Sequence, residues 1–215
     1  MKQLIKENRY FLIPYLFTLI ICAILLLSFP KTELHILSNK ANFVFFDYLF
    51  KYATNLGDGA MIVILTIALL FVKYRYSIIF LSGSLLTASI INLFKKVLLG
   101  DVFRPSKYFE LYEIYQLHFV EGIKLNALQS FPSGHTGTAF NLFFMLALIS
   151  PGKWLKLFWF FMAAVVGYSR VYLSQHFLID ISVGSIIGVT SILVIYFWLN
   201  GSDKMWLEKS LIRKK

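Results

Sequence analysis

His176 and Asp180 are the residues of this sequence with the most evident potential for chemistry. They are four positions apart near the start of an apolar run, and on a helix this spacing places both side chains on one face, within reach of a hydrogen bond. An imidazole that donates one ring N–H to a carboxylate presents its other nitrogen as a lone pair, as a nucleophilic or basic histidine requires. The alternative is a polar pair that caps a helix, and the spacing alone does not distinguish the two.

A second candidate site is the sequence Pro132-Ser133-Gly134-His135, which comes directly before another apolar run. Ser133 is a preferred residue for a helix N-cap, and the backbone N–H groups of the first turn would then point outward without partners. Such a helix N-terminus binds anions, and Gly134 would let an oxyanion approach the backbone closely. His135 would add a proton donor or base beside the same anion. The alternative is a capped helix start without a ligand.

Basic residues accompany both histidine motifs. Arg104 and Arg170 carry planar, permanently charged guanidinium groups, which suit the oxygens of a phosphate. Lys95 and Lys96 precede Arg104 in the chain, at the end of a further apolar run. One of these lysines is expected to reach the same anion, and the alternative for the other is an extended side chain that reaches toward lipid head groups.

The elements that would position these residues are suited to a bilayer. Of the 215 residues, 58% are hydrophobic and 15% are charged, far from the balance of soluble domains. Six apolar segments have roughly the length that a helix needs to cross hydrocarbon. They are Tyr10 to Phe29, Gly59 to Val72, Tyr76 to Leu99, Thr136 to Ile149, Trp154 to Val171 and Phe177 to Leu199. The sequence therefore predicts an all-α, polytopic membrane protein with six transmembrane helices in a bundle, of which the second and fourth are short.

The distribution of basic residues predicts the orientation of this bundle. If six helices alternate in direction, both termini share one side with the turns at residues 73–75 and 151–153. Short loops and tails rich in Lys and Arg face the cytoplasm, so both termini are predicted there. The basic residues of these stretches are Lys2, Lys6, Arg9, Lys73, Arg75, Lys153, Lys156, Lys204, Lys209, Arg213, Lys214 and Lys215. All the motif residues then fall on the periplasmic or extracellular side of an integral cytoplasmic (inner) membrane protein.

The net charge of +10 would suggest a nucleic-acid partner in a soluble chain. Here the basic residues gather at helix ends, where lipid head groups lie. The partner predicted from the sequence is therefore the lipid bilayer and not a nucleic acid.

The segment after the first apolar run, residues 30–58, mixes aromatic with charged side chains. This pattern suits an interfacial helix that lies at the level of the lipid head groups. The alternatives are a packed loop and a belt of aromatic anchors. Two histidines outside the motifs, His35 and His118, are expected to be loop residues.

Taken together, the motifs resemble those of the type 2 phosphatidic acid phosphatase (PAP2) superfamily, which includes membrane lipid phosphatases and vanadium haloperoxidases. The family pattern is a lysine six residues before Arg-Pro, then Pro-Ser-Gly-His, then Ser-Arg, five residues, His, three residues and Asp. Residues 132–135 and 169–180 match this pattern fully, and the resemblance spans about residues 59–200 of an expected single domain, 1–215. The first motif departs from it, because seven residues separate Lys96 from Arg104 and eight separate Lys95 from Arg104.

The resemblance implies a role for each of these residues. His176 would be the nucleophile that takes the phosphoryl group, Asp180 would orient it, and His135 would protonate the leaving oxygen and then help water to attack. The groups that would hold the phosphate oxygens are Lys95 or Lys96, with Lys95 favoured, and Arg104, Ser133, the Gly134 amide and Arg170. No metal and no other cofactor is implied.

The expected function is the hydrolysis of a lipid phosphate or diphosphate at the outer face of the membrane, through a phosphohistidine intermediate. Candidate substrates are undecaprenyl diphosphate, phosphatidylglycerol phosphate, phosphatidic acid and a lipid A phosphate, which the sequence does not rank. A catalytically silent protein of the same fold that binds or moves lipid phosphates is one alternative. Vanadate-dependent halide oxidation is another, and the apolar helices disfavour it because that chemistry needs no access to lipid. The sequence does not indicate an oligomeric state.

Overall fold

Within residues 2–212, which a computed structural model of the protein describes, the secondary structure is helical and contains no strand. The α-helices of this part of the chain are α1 (Lys2–Glu7), α2 (Arg9–Ser28), α3 (Lys31–Lys40), α4 (Val44–Ala53), α5 (Gly59–Leu70), α6 (Tyr74–Leu93), α7 (Pro105–Tyr112), α8 (Gly134–Ile149), α9 (Lys153–Tyr172) and α10 (Leu178–Asn200). The predicted all-α class is confirmed. Arg213, Lys214 and Lys215, which contribute to the predicted orientation, lie outside the described residues.

Each of the six predicted apolar segments forms a helix, but six membrane crossings are not confirmed. Among residues 2–212, three helices are long and apolar enough to cross a bilayer, namely α2, α6 with the turn that extends it to Leu98, and α10. A fourth crossing arises if α4, the 3₁₀ turn Thr54–Gly57 and α5 form one span, although the chain bends there by 58°. α8 has only 16 residues, and α9 begins with lysines and carries Arg170 in its last turn. The structure supports a multi-pass membrane protein.

α8 lies at the centre of the bundle, where it packs against α6, α9 and α10. Its middle turns carry large apolar side chains that are fully buried, among them Phe144 and Met145. Phe80, Val166 and Ile192 on the neighbouring helices are equally inaccessible. This apolar layer holds α8 in place and so determines where its first turn lies.

A polar side chain within this layer links three helices. Asn141 of α8 donates from Nδ2 to Oγ1 of Thr87 at 3.0 Å and to the carbonyl oxygen of Gly188 at 3.3 Å. Its Oδ1 accepts a hydrogen bond from Oγ of Ser84 at 2.9 Å. Because hydrocarbon offers no competing water, hydrogen bonds of this kind help to hold membrane helices together. They tie α8 to both α6 and α10.

Glycines let α8 and α10 approach closely. A Cβ atom built on Gly184 of α10 would lie 2.5 Å from the carbonyl oxygen of Ser133, and one built on Gly137 of α8 would lie 3.3 Å from the carbonyl oxygen of Gly184. The backbone N–H of Ser133 also donates to the carbonyl oxygen of Asp180 at 3.0 Å. The first turns of α10 are thus docked directly on the residues that begin α8.

We expect Gly184→Ala to lower the free energy of unfolding by about 2 kcal/mol, because rigid backbone opposes the added methyl group. Gly201→Ala is the matched control, since within the described part of the chain no atom beyond its neighbours lies within 4 Å of a Cβ there. Its effect should stay within about 0.5 kcal/mol. Denaturant unfolding of both variants in one detergent, followed by circular dichroism, measures the difference. Equal midpoints for the two variants would contradict the close packing.

Side-chain contacts show which helix ends lie together. Nζ of Lys156, near the start of α9, donates to Oδ1 of Asn8, just before α2, at 2.7 Å. Arg75, near the start of α6, donates to the carbonyl oxygens of Leu199 and Ser202 at the end of α10. The end of α6, the end of α9 and the start of α10, which carry motif residues, therefore lie at the opposite end of the bundle.

The segment after the first apolar helix folds as α3, α4 and the 3₁₀ turn Thr54–Gly57. α4 exposes several aromatic side chains, and Phe45, Tyr48 and Tyr52 each keep more than 60% of their surface accessible. Such exposure suits contact with lipid better than contact with water.

The two histidines outside the motifs have different environments. His118 lies in a loop, as expected, with Nε2 at 3.3 Å from Oδ2 of Asp47. The prediction that His35 is a loop residue is wrong, because it lies in α3 and its side chain is only 1% exposed. The polar sequence of α3 does not reveal that one of its faces is covered.

Candidate active site

Two segments that are far apart in the sequence meet at one end of the bundle. Ser133, before α8, donates its backbone N–H to Asp180 in the first turn of α10. The chain between α9 and α10 folds back on the last turn of α9, because Gln175 and His176 both donate their backbone N–H groups to the carbonyl oxygen of Arg170, at 2.9 and 3.0 Å. The second and third sequence motifs are therefore brought together.

His176 and Asp180 form a buried pair. Nδ1 of His176 lies 3.4 Å from Oδ2 of Asp180, and the two side chains are only 1% and 2% exposed. In this geometry Nδ1 does not form a hydrogen bond with Asp180, nor with any other group of the described residues. Hydrogen bonds between catalytic groups are often long without a ligand and shorten when one binds.

The carboxylate of Asp180 is held by other donors. Oδ2 accepts hydrogen bonds from the backbone N–H of Phe177 at 2.9 Å and from Oγ of Ser130. Ser130 is fully buried and was not among the predicted site residues, because an isolated serine outside the motif has no distinguishing pattern. The orientation of Asp180 is thus set before any ligand arrives.

Burial lowers the pKa of His176 to about 3, although Asp180 acts in the opposite direction. The imidazole is therefore neutral at physiological pH, with a lone pair on one ring nitrogen. A neutral imidazole beside a fixed carboxylate is the arrangement that a nucleophilic histidine requires.

Arg170 presents an unpaired donor in a buried position. Its side chain is 6% exposed, and Nη1 donates to Oγ1 of Thr54 at 2.6 Å. Nε is buried and has no hydrogen-bond partner within residues 2–212. Because buried donors are almost always paired, this guanidinium N–H is available to an acceptor from outside the protein.

Arg104 reaches the same place from the long loop before α8. It precedes Pro105, the first residue of α7, and its side chain is 8% exposed. Nε donates to the carbonyl oxygen of Leu128 and Nη1 to Oε1 of Gln175, each at 3.0 Å. These bonds fix the guanidinium near Asp180, whose charge acts on it. The contribution of Gln175 was not predicted, because it depends on a tertiary contact.

The two lysines occupy different surroundings on a π-helical turn, Phe94–Leu98. Lys95 is half-buried and lies within electrostatic reach of Arg104, Arg170 and Asp180, whereas Lys96 is exposed. This arrangement favours Lys95 as the lysine that contacts a bound anion, in agreement with the prediction from the motif.

The same turn accounts for part of the unusual spacing of the first motif. The backbone N–H of Leu99 donates to the carbonyl oxygen of Phe94 at 2.7 Å, five residues back. A π turn accommodates one additional residue in a helix without breaking it, so one of the two extra residues between Lys95 and Arg104 is absorbed locally.

The start of α8 has the predicted form. Ser133 is its N-cap, and Oγ accepts hydrogen bonds from the backbone N–H and from Oγ1 of Thr136, at 3.4 and 2.9 Å. A Cβ on Gly134 would meet no atom of the described residues within 4 Å, so open space lies beside this part of the backbone. His135 is half-buried and lies within electrostatic reach of Asp58 and Arg170.

The predicted site residues, apart from the exposed Lys96, thus form one cluster whose charges act on one another. Lys95, Arg104 and Arg170 outnumber the one buried carboxylate among them, so the cluster attracts anions. No group of three or more His, Cys, Asp or Glu side chains that could hold a metal occurs in residues 2–212.

Comparison with known proteins identifies the family. A model of the PAP2 superfamily matches residues 60–204, about two thirds of the chain. The chain belongs to the PAP2 superfamily. The resemblance that the three sequence motifs indicate is therefore confirmed.

Two solved structures share the fold of this PAP2 protein. The crystal structure of Aquifex aeolicus LpxE superimposes with a TM-score of 0.67 at 25% identity, over 77% of this chain and 93% of that one. A transmembrane PAP2-type phosphatidylglycerolphosphate phosphatase from Bacillus subtilis superimposes with a TM-score of 0.64 over 91% of this chain and 99% of that one. Its 17% identity shows the fold alone. The protein thus has the fold of membrane PAP2 phosphatases.

A curated relative is similar over a shorter stretch. The bacitracin transport permease protein BcrC of Bacillus licheniformis is 37% identical over 70 residues, which is 32% of this PAP2 chain and 32% of the relative. The matched stretch therefore spans about one third of the length of that protein.

Proposed function

We propose that this PAP2 protein is a phosphatase that hydrolyses a lipid phosphate or diphosphate through a phosphohistidine intermediate. The observation that carries the proposal is the unpaired, buried Nε of Arg170, in a cluster of cations that acts on the neutral imidazole of His176. A pocket that only bound an anion would need the cations, but it would not need a buried imidazole beside a fixed carboxylate.

In the proposed reaction, the free ring nitrogen of His176 attacks phosphorus, and the bond from phosphorus to the leaving oxygen breaks. His135 donates a proton to that oxygen. In the second step His135 takes a proton from water, which attacks the phosphohistidine and releases orthophosphate. Asp180 stabilises the positive charge that develops on the imidazole of His176.

The cations supply most of the stabilisation. Phosphoryl transfer spreads negative charge over the three equatorial oxygens, so catalysis rests on positioning and on donors aimed at those oxygens. Arg104, Arg170 and Lys95 supply these donors, together with Ser133 and the backbone N–H of Gly134. Because three permanent or near-permanent cations converge, we propose that the reaction proceeds without a metal ion.

We further propose that the site faces the periplasm or the extracellular space and that both termini are cytoplasmic. The basic turns and tails support this orientation through the positive-inside tendency. The contacts of Asn8 and Arg75 support it as well, because the helix ends that they join lie opposite the site. In this orientation, the exposed aromatic face of α4 rests in the outer head-group region.

The location of the protein in a membrane supports a lipid as the substrate class. The individual lipid has to be identified by experiment. The name of the Bacillus subtilis neighbour includes phosphatidylglycerolphosphate, and that of the Bacillus licheniformis relative includes bacitracin transport. We propose phosphatidylglycerol phosphate, undecaprenyl diphosphate, phosphatidic acid and a lipid A phosphate as candidate substrates.

The test is release of orthophosphate by protein purified in detergent, with each of the four candidate lipids in the presence of EDTA. We expect release from at least one lipid, at a rate that EDTA does not change. Binding of these lipids without any release would overturn the proposal in favour of a catalytically silent protein. A rate that EDTA abolishes and added metal restores would overturn the metal-free reaction.

The two lysines provide a matched pair of variants. We expect Lys95→Ala to lower kcat/KM by about 10- to 100-fold, because it removes a donor to a charged oxygen worth roughly 1.5–3 kcal/mol. Lys96→Ala should stay within about twofold of the wild type, since its side chain is exposed and exposed charges contribute little. Steady-state kinetics with the best lipid measures both. The reverse order of effects would assign the phosphate contact to Lys96.

A further inference from the structure

His35 is a buried polar residue in a polar helix. α3 has the sequence KTELHILSNK, yet the imidazole of His35 is only 1% exposed. It packs between the rings of Phe109 in α7 and Phe177, with centroids 5.5 and 5.4 Å away. Burial of a polar ring is unfavourable unless it forms hydrogen bonds, so the contacts of its nitrogens need an explanation.

One ring nitrogen contacts the turn that precedes His176. Nε2 of His35 lies 3.1 Å from Oγ of Ser174, whereas Nδ1 is buried without a hydrogen-bond partner in the part of the chain that the structure describes. An unpaired lone pair is less unfavourable in such a position than an unpaired N–H. The tautomer with the proton on Nε2, which donates to Ser174, is therefore preferred.

Ser174 has an unusual backbone conformation. Its φ angle is +52°, in the left-handed region that non-glycine residues rarely adopt. The next two residues, Gln175 and His176, both donate their backbone N–H groups to the carbonyl oxygen of Arg170. The direction in which the chain presents His176 therefore depends on the conformation of Ser174. Residues in sparsely populated regions persist only where their surroundings hold them.

The imidazole of His35 thus contacts both sides of His176, Ser174 before it and Phe177 after it. We propose that His35 is a positioning residue, which holds Ser174 in its left-handed conformation and thereby aims the ring of His176 at the substrate phosphorus. This inference rests on the proposed function, since it assumes that His176 is the nucleophile. His35 lies before residues 60–204, the part of the chain that the family model matches.

The charge state of His35 agrees with this role. Burial lowers its pKa to about 4, although the charge of Asp180 acts in the opposite direction. The ring is therefore neutral throughout the pH range in which a phosphatase is assayed. It adds no cation to the site and would not itself hold the phosphate.

Three variants test the inference. His35→Leu keeps much of the volume but has no donor, His35→Gln retains an N–H near the position of Nε2, and Ser174→Ala removes the acceptor. We expect His35→Leu and Ser174→Ala each to lower kcat by about tenfold, with KM within about twofold. His35→Gln should recover activity to within about threefold of the wild type.

Two further measurements separate positioning from folding. The double variant His35→Leu/Ser174→Ala should be no slower than either single variant, because both remove the same interaction. Orthophosphate should inhibit all variants with the inhibition constant of the wild type, since the cations that hold an anion are unchanged. In single-turnover experiments, formation of the phosphohistidine should be the slowed step.

Several outcomes would overturn the inference. They are a His35→Leu variant with wild-type kcat, additive losses in the double variant, and a His35→Gln variant no faster than His35→Leu. A parallel loss of inhibition by orthophosphate would show a structural role. If the wild-type protein releases no phosphate from any lipid, the proposed function fails and the inference fails with it. If the wild-type protein turns over a lipid and His35→Leu does so at the same rate, the inference is refuted and the proposed function still stands.

Discussion

His176→Ala should lower phosphate release from the lipid substrate by at least about 10⁴-fold, a loss of the size seen when the nucleophile of a catalytic unit is removed. The covalent intermediate cannot form without the ring nitrogen, so the variant should also fail to accumulate acid-labile, protein-bound phosphate. Rapid quenching with labelled substrate, followed by measurement of phosphate bound to protein, checks both statements.

His118→Ala is the matched control for this variant. It removes an imidazole from the same side of the bundle, but His118 lies in a loop beside Asp47 and is 39% exposed. Its activity should remain within about twofold of the wild type. Comparable losses in the two variants would contradict the assignment of the nucleophile.

The pH dependence of the wild type bears on the same residue. Because the pKa of His176 is lowered to about 3, its reactive neutral form is fully present above about pH 5 and is lost only as the pH falls toward 3. Loss of phosphohistidine formation between pH 8 and 6 would therefore have to come from another group. Single-turnover rates over this range provide the measurement.

Arg170→Lys should lower kcat/KM by at least about 100-fold, roughly 2.7 kcal/mol of transition-state stabilisation. The guanidinium donates to Thr54 through Nη1 and leaves Nε buried for the substrate. An ammonium group is a compact charge on a flexible stem, so it cannot make both contacts in the same directions. The charge is kept, and the loss therefore measures geometry.

Arg9→Lys makes the same change at the exposed start of α2, far from the site, and should leave the kinetics unchanged. Arg9→Lys should also keep the wild-type free energy of unfolding in detergent to within a few tenths of a kcal/mol. Wild-type kinetics for Arg170→Lys would show that charge alone suffices at this position.

Most residues of the candidate site were predictable from the sequence, because they form motifs in which the residue types and the short spacings between them are fixed. His176 and Asp180 are about one helical turn apart in sequence, and Ser133 is a residue type that favours the N-cap position before α8. The convergence of the motifs also follows from alternating helix direction, which apolar run lengths suggest. These are local properties of the chain, and a single sequence retains them.

Other features depend on tertiary contacts that the sequence does not reveal. Ser130, Gln175 and Thr54 contribute through hydrogen bonds to residues more than 40 positions away, and none of them belongs to a motif. His35 is buried because α7 and Phe177 cover it, although its own helix reads as polar. The number of membrane spans is equally hard to predict from the sequence, because α5 is short and meets α4 at a bend.

The π turn at Phe94–Leu98 has a practical consequence for recognising related chains. It places Lys95 near Arg104 and Arg170, even though more residues separate this lysine from Arg-Pro than the family pattern specifies. A sequence search that requires six intervening residues would reject this chain at its first motif. A search that allows six to eight, and demands the two histidine motifs afterwards, would retain it together with any other member that has the same helical insertion.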